Sequence, residues 1–420
     1  MKKTTALYDW HLSHGANTAE FGGYDMPVWY PAGARAEHLA VLQGVGVFDT
    51  SHMAALLLSG PDAFALLQRC HTRDLGRALG SWRGPSAPKR CAYGVYLDEE
   101  GGVVDDAIVG ELAPGVYLSV VNAAMGPAVA DHLRRYADGG AVEIADLTDR
   151  LGKIDVQGPA AAKVLSKVLA DPGAAFEGMA YFTFKGHFDP AAPQADAVRL
   201  ADGTPVLLSR TGYTGEFGFE LYVQREAAVG VWEAVMEAGA AFGALPCGLA
   251  ARDSLRAGAV LPLSHQDIGP WPFIHHPWEF ALPLGPDGGF TKAFVGREAL
   301  ERARGRAEHT YPFLGFDLRK VTGGEARVFT PEGEELGRVL TCVSDMGIGR
   351  REGRVYSVAS PDRPEGFTPK GLSCGFVKVN RELAEGSELR LRDAKREIRV
   401  EVTRDVRPDR TARSPIAQMM

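Results

Sequence analysis

Two adjacent carboxylates stand inside an otherwise apolar stretch, EEGGVVDDAIVG, at residues 99–110. The stretch is typical of a buried β-strand, in which successive side chains point to opposite faces of the sheet. Asp105 and Asp106 should therefore face opposite sides, and both cannot be solvated if the sheet is covered. We expect one of them to be held in a pocket. A carboxylate held in this way is a residue type that performs acid–base chemistry.

A third carboxylate, Glu220, lies near the end of the glycine-punctuated stretch RTGYTGEFGFEL at residues 210–221. A carboxylate among apolar neighbours is costly unless it meets hydrogen-bond donors. The N–H/NH2 edge of a ligand is one good partner, because two carboxylate oxygens can bind it together. However, Glu220 is opposite in phase to Phe217, Phe219 and Leu221, so an exposed charge on the strand is an equally good interpretation.

Two further segments carry residue types that could bind a ligand. In FGGYDMPVWY (21–30), paired glycines let the backbone approach another group closely, and the aromatic rings could stack on a flat ligand. A packed turn is the alternative.

In PCGLAARDSLRAG (246–258), Arg252 and Arg256 lie one helical turn apart on the same face. This spacing fits a surface salt bridge as well as it fits anion binding.

Several other kinds of site are disfavoured by the motifs. The chain has no GxGxxG after a strand, no GxxxxGK[ST] and no GxSxG, which argues against nucleotide-binding and hydrolase folds. His275 and His276 are adjacent and therefore point in different directions, so we expect a structural or surface role. His11, His14 and His52 lack metal-ligand spacing. The sequence predicts no metal site.

The composition is that of an ordinary globular protein. The 420 residues predict two or three domains, and 45% hydrophobic with 24% charged residues argues against disorder. A net charge of -7 without a basic run makes nucleic acid a poor partner. The N-terminus lacks the apolar core of a secretory signal, and no apolar run reaches the roughly 18 residues that span a bilayer. We therefore expect a cytoplasmic protein with no membrane partner, and its five scattered cysteines should be free thiols.

Strand and helix patterns interleave through about residue 260 without a regular β-α-β rhythm, which predicts an α+β fold. Helices are predicted at 61–70, 158–173 and 225–243, and strands at 54–60, 91–97, 115–122, 204–210 and 217–223. After the proline-rich run at 269–285 the pattern becomes one of short strands and turns. We predict two interleaved α+β domains over residues 1–305, a β-rich domain over 310–405, and a tail at 406–420 that trails over the surface.

Taken together, these segments resemble the family of the glycine-cleavage T-protein, the tetrahydrofolate-dependent aminomethyltransferases, whose relatives include folate-dependent demethylases. The matching pieces, in the family's order, are LYDWHLSHGA, FGGYDMP, VFDTSHM, GGVVDD, VVNA, VQGPAA, TGYTGE, GLAARDSLR and FVGREAL. They cover nearly the whole chain. The resemblance implies a three-domain, cloverleaf-like assembly around a central opening that holds the folate, with a β-barrel or jelly-roll-like C-terminal domain.

The resemblance also implies roles for individual residues. Asp106 falls on the family's catalytic aspartate, which would lie near the folate nitrogens and relay a proton, and Asp105 would be its structural neighbour. Glu220 falls on the glutamate that grips the pterin. The other folate-site positions fall on Tyr93, Asn122, Tyr213 and Arg252.

The chain departs from the family on the side of the one-carbon donor. LRAGAVLPLSH (255–265) replaces LRLEAGLCLYG, and GEFG (215–218) replaces GEDG. HPWEFALPL (276–284) adds Trp278 and Phe280 to a region that often borders the cavity, and residues 311–313 lack a basic residue that lipoyl-carrier-dependent members usually keep. Use of folate is therefore better supported than the identity of the donor.

Three functional hypotheses follow. The leading one is a tetrahydrofolate-dependent aminomethyltransferase, which takes an aminomethyl group from a lipoylated carrier protein and releases ammonia and methylenetetrahydrofolate. The second is a folate-dependent demethylase of a small N-, O- or S-methyl compound. The third is a non-catalytic folate-binding scaffold, which is disfavoured because TGYTGE stands where a KGCYxGQE-type segment would be.

Overall fold

The computed structural model describes residues 2–420. Its helices follow the three-to-four residue spacing of buried apolar side chains, as in α6, where Val164, Leu165 and Val168 are buried. The α-helices are α1 (Tyr8–Ser13), α2 (Ala34–Gln43), α3 (Ala63–Cys70), α4 (Leu75–Ala78), α5 (Gly126–Arg135), α6 (Ala161–Val168), α7 (Pro172–Phe176), α8 (Ala228–Gly239), α9 (Leu249–Gly258) and α10 (Arg297–Ala303). None of the helices within this part of the chain combines the length and apolarity that crossing a membrane would need.

The strands fall into one large sheet, a barrel and two hairpins. In the first 250 residues they are β1 (Asn17–Phe21), β2 (Tyr24–Trp29), β3 (Gly46–Asp49), β4 (Ala54–Ser59), β5 (Lys89–Leu97), β6 (Val103–Ala113), β7 (Val116–Val121), β8 (Glu143–Asp146), β9 (Leu151–Gln157), β10 (Thr183–Gly186), β11 (Leu207–Ser209), β12 (Gly218–Gln224) and β13 (Leu245–Pro246). The later ones are β14 (His309–Gly315), β15 (Arg327–Phe329), β16 (Glu335–Asp345), β17 (Ile348–Arg351), β18 (Arg354–Ser357), β19 (Leu372–Val379), β20 (Glu388–Arg392) and β21 (Glu397–Val402).

An eleven-stranded sheet runs through the first part of the chain in the order β13-β3-β9-β12-β11-β10-β5-β6-β7-β4-β8. Its neighbours are antiparallel except for β13 and β3. Helices α6 and α8 pack over β9 and β12 through a core that contains Leu165, Trp232 and Phe219. Helices α3 and α5 pack over β4 to β7 through a second core. The predicted α+β class is confirmed.

The C-terminal part is a closed six-stranded barrel in the order β14-β19-β16-β15-β20-β21. Alternate side chains, among them Phe313, Val339 and Val400, fill its interior. The predicted β-rich C-terminal region is confirmed in this form. The division of the chain at residues 305, 310 and 405 remains a prediction.

The last residues do not simply trail over the surface, because Arg407 is fully buried. Its guanidinium lies 3.0 Å from Glu216 Oε1 and 2.6 Å from Asp345 Oδ2. Arg210 adds a hydrogen bond of 2.8 Å to the carbonyl oxygen of Ala412. Residues 408–420 are exposed or partly exposed, and the buried Arg407 anchors the start of this surface tail. Low apolar content therefore does not exclude anchoring by buried ion pairs, which here reach Glu216 and the barrel residue Asp345.

Candidate active site

The two adjacent aspartates lie on β6 and share one amide partner. Asp106 accepts a hydrogen bond of 2.8 Å from Tyr93 OH on β5 and a second one from Asn122 Nδ2, just after β7. Asp105 accepts from the same Nδ2 and from the backbone N–H of Asn122, each at 2.8 Å. On β6, Asp106 shares a face with Ile108, and Ile108 is paired across the strands with Tyr93. Asp105 is on the other face and is paired with Tyr96. Strand alternation thus separates the two carboxylates, as predicted, and Asn122 connects them.

The environment of Asp106 tunes its proton affinity. Burial and the neighbouring Asp105 carboxylate raise the pKa of Asp106 to about 7, against the opposing effect of hydrogen bonds from Tyr93 and Asn122. Burial and the Asp106 carboxylate raise the pKa of Tyr93 well above its ordinary value, so its phenol remains a donor. Asp106 can therefore take up and release a proton near neutral pH.

Asp105 is fully buried and is also contacted by the segment that follows α9. Ser264 Oγ donates a hydrogen bond of 2.8 Å to Asp105 Oδ1. His265 Nε2 lies 3.5 Å from the same oxygen. These two residues belong to LRAGAVLPLSH, one of the segments in which the chain departs from the family. The departure is therefore located directly beside the aspartate pair.

Glu220 on β12 is buried, with 5% of its surface exposed. Lys153 Nζ lies 2.8 Å from its Oε1, while Thr211 Oγ1 and Tyr222 OH donate to its Oε2 at 2.6 and 3.2 Å. The alternative of an exposed strand charge was wrong. The phase of Glu220 does set it opposite Phe219, but the sheet is covered on that face as well.

A buried charge network extends from Glu220 to α9. Lys153 Nζ also lies 2.9 Å from Asp155 Oδ1, and Arg252 Nη1 lies 3.1 Å from Asp155 Oδ2. Burial alone would raise the pKa of Asp155, but Lys153 and Arg252 outweigh it and lower that pKa. The Arg252 guanidinium lies 4.8 Å from the centre of the Tyr213 ring. Arg252 is therefore part of the buried site.

Arg256, the other arginine of α9, belongs to a different network. Its Nη2 lies 2.7 Å from Asp253, and its Nη1 contacts the buried Asp267. It also donates to Thr341 Oγ1 on β16 at 3.0 Å. Arg252 and Arg256 were predicted to lie on one face of the helix, but they bind different carboxylates, Asp155 in the first case and Asp253 and Asp267 in the second.

Tyr213 connects the two halves of the site. Its hydroxyl donates to the carbonyl oxygen of Pro262, two residues before Ser264. Burial, together with the nearby Asp106 carboxylate, raises the pKa of Tyr213. The predicted site residues thus form two groups, Asp106 with Tyr93 and Asn122, and Glu220 with Arg252 through Lys153 and Asp155, with Tyr213 between them.

Lys153, Asp155, Ser264 and His265 were missed by the sequence reasoning. A signal did exist for the first two. In LGKIDVQGP the polar residues Lys153 and Asp155 are two apart in a buried strand, so they share one face of it. Ser264 and His265 were marked only as part of LRAGAVLPLSH, a segment that departs from the family. Nothing local linked them to Asp105, which lies 159 residues from Ser264 in the chain.

The aromatic residues of HPWEFALPL take different positions. Phe280 is 53% exposed, and its ring lies 5.8 Å from that of Tyr93. Trp278 is fully buried in a core and donates from Nε1 to the carbonyl oxygen of Val260 at 2.8 Å. Phe280 therefore borders the site as expected, whereas Trp278 does not, because its ring packs towards the barrel residue Phe376.

The segment FGGYDMPVWY forms the β1–β2 hairpin. Gly22 has a φ of +56°, and a Cβ there would lie 2.3 Å from Ala123 Cβ, next to Asn122. The close approach predicted for the glycines is real, but it is made to Ala123. Tyr24 and Tyr30 are buried, and Tyr30 OH bonds to His11 Nδ1 at 2.8 Å. The two tyrosines therefore fit the packed-turn interpretation, whereas the rings of Trp29 and Phe21, 42% and 37% exposed, lie at the surface.

The histidine pair shows no ligand geometry. His275 Nε2 lies 3.0 Å from the carbonyl oxygen of Arg304, and His276 packs against Phe273 with ring centres 3.9 Å apart. Across residues 2–420, no group of three or more His, Cys, Asp or Glu side chains could hold a metal ion.

The arrangement suits an enzyme that exchanges a proton at a carboxylate near neutral pH, built on an α+β body with a C-terminal barrel. Comparison with known proteins gives the family. A family model described as "GCVT N-terminal domain" matches residues 7–279. The chain therefore belongs to the glycine-cleavage T-protein family, and the predicted membership of this transferase family is confirmed.

Individual relatives cover nearly the whole chain. It is 34% identical over 357 residues to an aminomethyltransferase of Shouchella clausii, across 84% of this chain and 89% of the relative. It is 37% identical over 350 residues to an aminomethyltransferase of a Parafrankia species, across 81% and 85% of the two chains. The crystal structure of glycine cleavage system aminomethyltransferase T from Bartonella henselae matches with a TM-score of 0.74 and 27% identity, over 96% of this chain and 97% of that one.

Proposed function

We propose that the protein is a tetrahydrofolate-dependent one-carbon transferase, in the simplest case an aminomethyltransferase that forms 5,10-methylenetetrahydrofolate. The observation that carries this proposal is Asp106, held between Tyr93 and Asn122 with a pKa of about 7. Transfer of a one-carbon unit to a folate nitrogen requires that this nitrogen lose a proton. A carboxylate with this pKa is suited to accept it.

Each residue around Asp106 has a role in the proposed reaction. Tyr93 and Asn122 hold the carboxylate in one orientation through hydrogen bonds, and the negative charge of Asp105 keeps its proton affinity high. An ionised Asp106 would also stabilise positive charge that develops on nitrogen. Phe280, exposed beside Tyr93, offers an apolar surface to a bound ring. Folate supplies the nitrogens to which the carbon is attached.

The fit to folate differs between the two ends of the site. The half-buried Asp106 group fits a folate nitrogen. Glu220, the proposed pterin-binding residue, already accepts from Lys153, Thr211 and Tyr222. A carboxylate has about four lone-pair positions, so about one remains. That position is on Oε1, beside Lys153, because Oε2 already accepts from Thr211 and Tyr222. Binding both donors of a pterin edge therefore requires one of these three donors to release Glu220. If it is Lys153, Asp155, 2.9 Å from the same ammonium, would retain that charge.

The donor proposed first is an aminomethyl group on a lipoylated carrier protein, in line with the names of the relatives. A methyl group on a small N-, O- or S-methyl compound is the second candidate. The observation that favours it is local, since Ser264 and His265 reach Asp105 from a segment that departs from the family. A segment that departs from the family thus borders the aspartate pair, where the donor would meet Asp106 in the proposed reaction.

Calorimetric titration with tetrahydrofolate tests the proposal first. The wild type should bind, Glu220→Ala should lose binding, and Glu233→Gln, a change at an exposed glutamate on α8, is the matched control. Absence of folate binding in the wild type would overturn both enzyme hypotheses.

A turnover assay then identifies the donor. It compares an aminomethyl-loaded lipoylated carrier with a panel of methylated metabolites, in the presence of tetrahydrofolate. Asp106→Asn should slow transfer by about 10²–10⁴-fold, the usual contribution of a positioned acid–base group. An Asp106→Asn variant that turns over as fast as wild type would contradict the assigned role. Turnover without any folate dependence would point to another acceptor.

A further inference from the structure

The loop at residues 263–267 places an ionisable side chain against the aspartate pair. His265 Nε2 lies 3.5 Å from Asp105 Oδ1, and Ser264 Oγ donates to that oxygen at 2.8 Å. The imidazole is 44% exposed, so one part of the ring faces the carboxylates and another part can reach a solute. This combination of contact and access distinguishes His265 from the buried histidines.

The position of this loop is set by a buried anchor. Asp267 is fully buried, accepts from the backbone N–H of Leu263 at 2.9 Å and from Thr341 Oγ1 at 2.6 Å, and contacts Arg256. The anchor ties both ends of the loop to α9 and to the barrel. His265 is therefore held at the aspartate pair by a rigid support, as the side chains of functional sites are.

The backbone of His265 is in an unfavourable conformation. Its φ is +64°, in the left-handed region that is sterically unfavourable for a non-glycine residue. Such strain persists only where the surroundings impose it, and it concentrates at functional sites. With this backbone conformation the imidazole lies against Asp105, and the buried Asp267 anchor holds the conformation.

We propose that His265 is the proton donor to the leaving heteroatom of the one-carbon donor, acting opposite Asp106. The inference rests on the proposed function. Methyl transfer is one such step. Aminomethyl transfer is two, because the carbon separates from sulfur in one and from the amino nitrogen in the other, and it bonds to two folate nitrogens. In each step, the bond between the donor's carbon and the leaving heteroatom breaks, and a bond between that carbon and a folate nitrogen forms with that nitrogen's lone pair. The nitrogen's proton goes to Asp106, the heteroatom keeps the electron pair of the broken bond, and the proton of His265 goes to the heteroatom. Solvent then returns the His265 proton and takes the Asp106 proton.

The charges around His265 suit this role. The charged groups that face it are Asp105 and Asp106, both from β6, and the hydrogen bond to Asp105 raises the pKa of His265. The imidazole therefore stays cationic to higher pH than an isolated one. Transfer needs Asp106 ionised and His265 protonated, so the rate should show an acidic limb from Asp106 and a basic limb from His265.

His265→Asn and His265→Gly test the assignment. Both residues accept a left-handed backbone, so neither variant should fail to fold through strain. With the carrier-bound aminomethyl donor, or with a neutral methyl donor, kcat/KM should fall about 10²–10⁴-fold and the basic limb should disappear. Tetrahydrofolate affinity should stay within about twofold, since His265 is assigned no role in binding folate. Added imidazole should restore part of the rate of the glycine variant, and His14→Asn, at an exposed histidine, is the control.

A sulfonium methyl donor provides a second arm, because its sulfur leaves as a neutral thioether and needs no proton. The variants should transfer from it as fast as wild type. Titration of the His265 ring by NMR in the unliganded protein should show a fall in its pKa on Asp105→Asn. The proposal is overturned if wild type transfers and the variants keep both the rate and the basic limb. If wild type neither binds folate nor transfers, it is the proposed function that fails.

Discussion

Replacing Asp106 by asparagine should stabilise the protein, and the gain should grow with pH. In the folded chain the ionised Asp106 carboxylate is partly desolvated and lies beside Asp105. Asparagine has the same size, carries no charge and can still accept the hydrogen bond from Tyr93. Its NH2 group then faces Asn122 Nδ2, so the hydrogen bond from Asn122 is lost at every pH and does not alter the pH dependence. The substitution thus removes an unfavourable charge and keeps most of the packing, at the cost of the proposed proton transfer.

The size of the gain follows from proton linkage. The pKa of Asp106 is about 7 in the folded protein, against an ordinary value of 3.8. Because the folded value is raised, the stability from this group is fully present below pH 3.8 and is lost as pH rises through 7. Between pH 5 and 7 the loss amounts to about 1.7 pH units at about 1.36 kcal/mol each, or about 2.3 kcal/mol, because half of the folded carboxyl is already ionised at pH 7. Partial solvent access reduces this to about 1–2 kcal/mol.

Urea unfolding followed by circular dichroism at pH 5, 6, 7 and 8 measures the effect. The difference in unfolding free energy between Asp106→Asn and wild type should increase by about 1–2 kcal/mol from pH 5 to 7 and then level off. Groups shared by both proteins cancel in this difference. Asp131→Asn, at an exposed aspartate on α5, controls for the loss of one negative charge. A difference that stays constant or shrinks with pH would refute the assigned environment of Asp106.

Three other substitutions test the supports of the site. Lys153→Met leaves Glu220 buried without its cation and should cost about 3–5 kcal/mol in urea unfolding. Arg407→Met should cost a similar amount and make the C-terminal residues more sensitive to limited proteolysis, since buried ion pairs anchor them. Gly22→Ala places a side chain on a backbone with a φ of +56° and sets its Cβ 2.3 Å from Ala123 Cβ. It should lower the free energy of unfolding by about 1–3 kcal/mol, and the melting temperature with it. An unchanged unfolding midpoint in any of the three would contradict the corresponding contact.

Local patterns predicted most of the secondary structure. The apolar spacing of 158–173 and 225–243 indicated helices that the structure places at Ala161–Val168 and Ala228–Gly239. The predicted strands at 91–97 and 217–223 correspond to β5 and β12. These predictions succeed because helix and strand periodicity depend on residues a few positions apart.

The site was predicted less completely, because its partners are distant in sequence. Alternation along β6 separated Asp105 from Asp106 correctly, since the period of a strand is local. It could not show that Ser264, 159 residues away in the chain, contacts Asp105. Nor could it show that Lys153 contacts Glu220, from which it is separated by 67 residues. The resemblance to the family marked Asp106, Glu220 and Arg252, but not the charges that surround them.

Two aspartates in this one site carry opposite shifts, and the difference follows from their partners. Asp155 lies between Lys153 and Arg252, and these cations lower its pKa despite burial. The hydrogen-bond partners of Asp106 are a phenol and an amide, which are neutral, so burial and Asp105 dominate and raise its pKa. When two carboxyl groups in one site have pKa values shifted in opposite directions, one stays ionised and the other can carry a proton. Asp155 is therefore a fixed negative charge that holds the two cations in place, and Asp106 is the carboxylate that can exchange a proton near neutral pH.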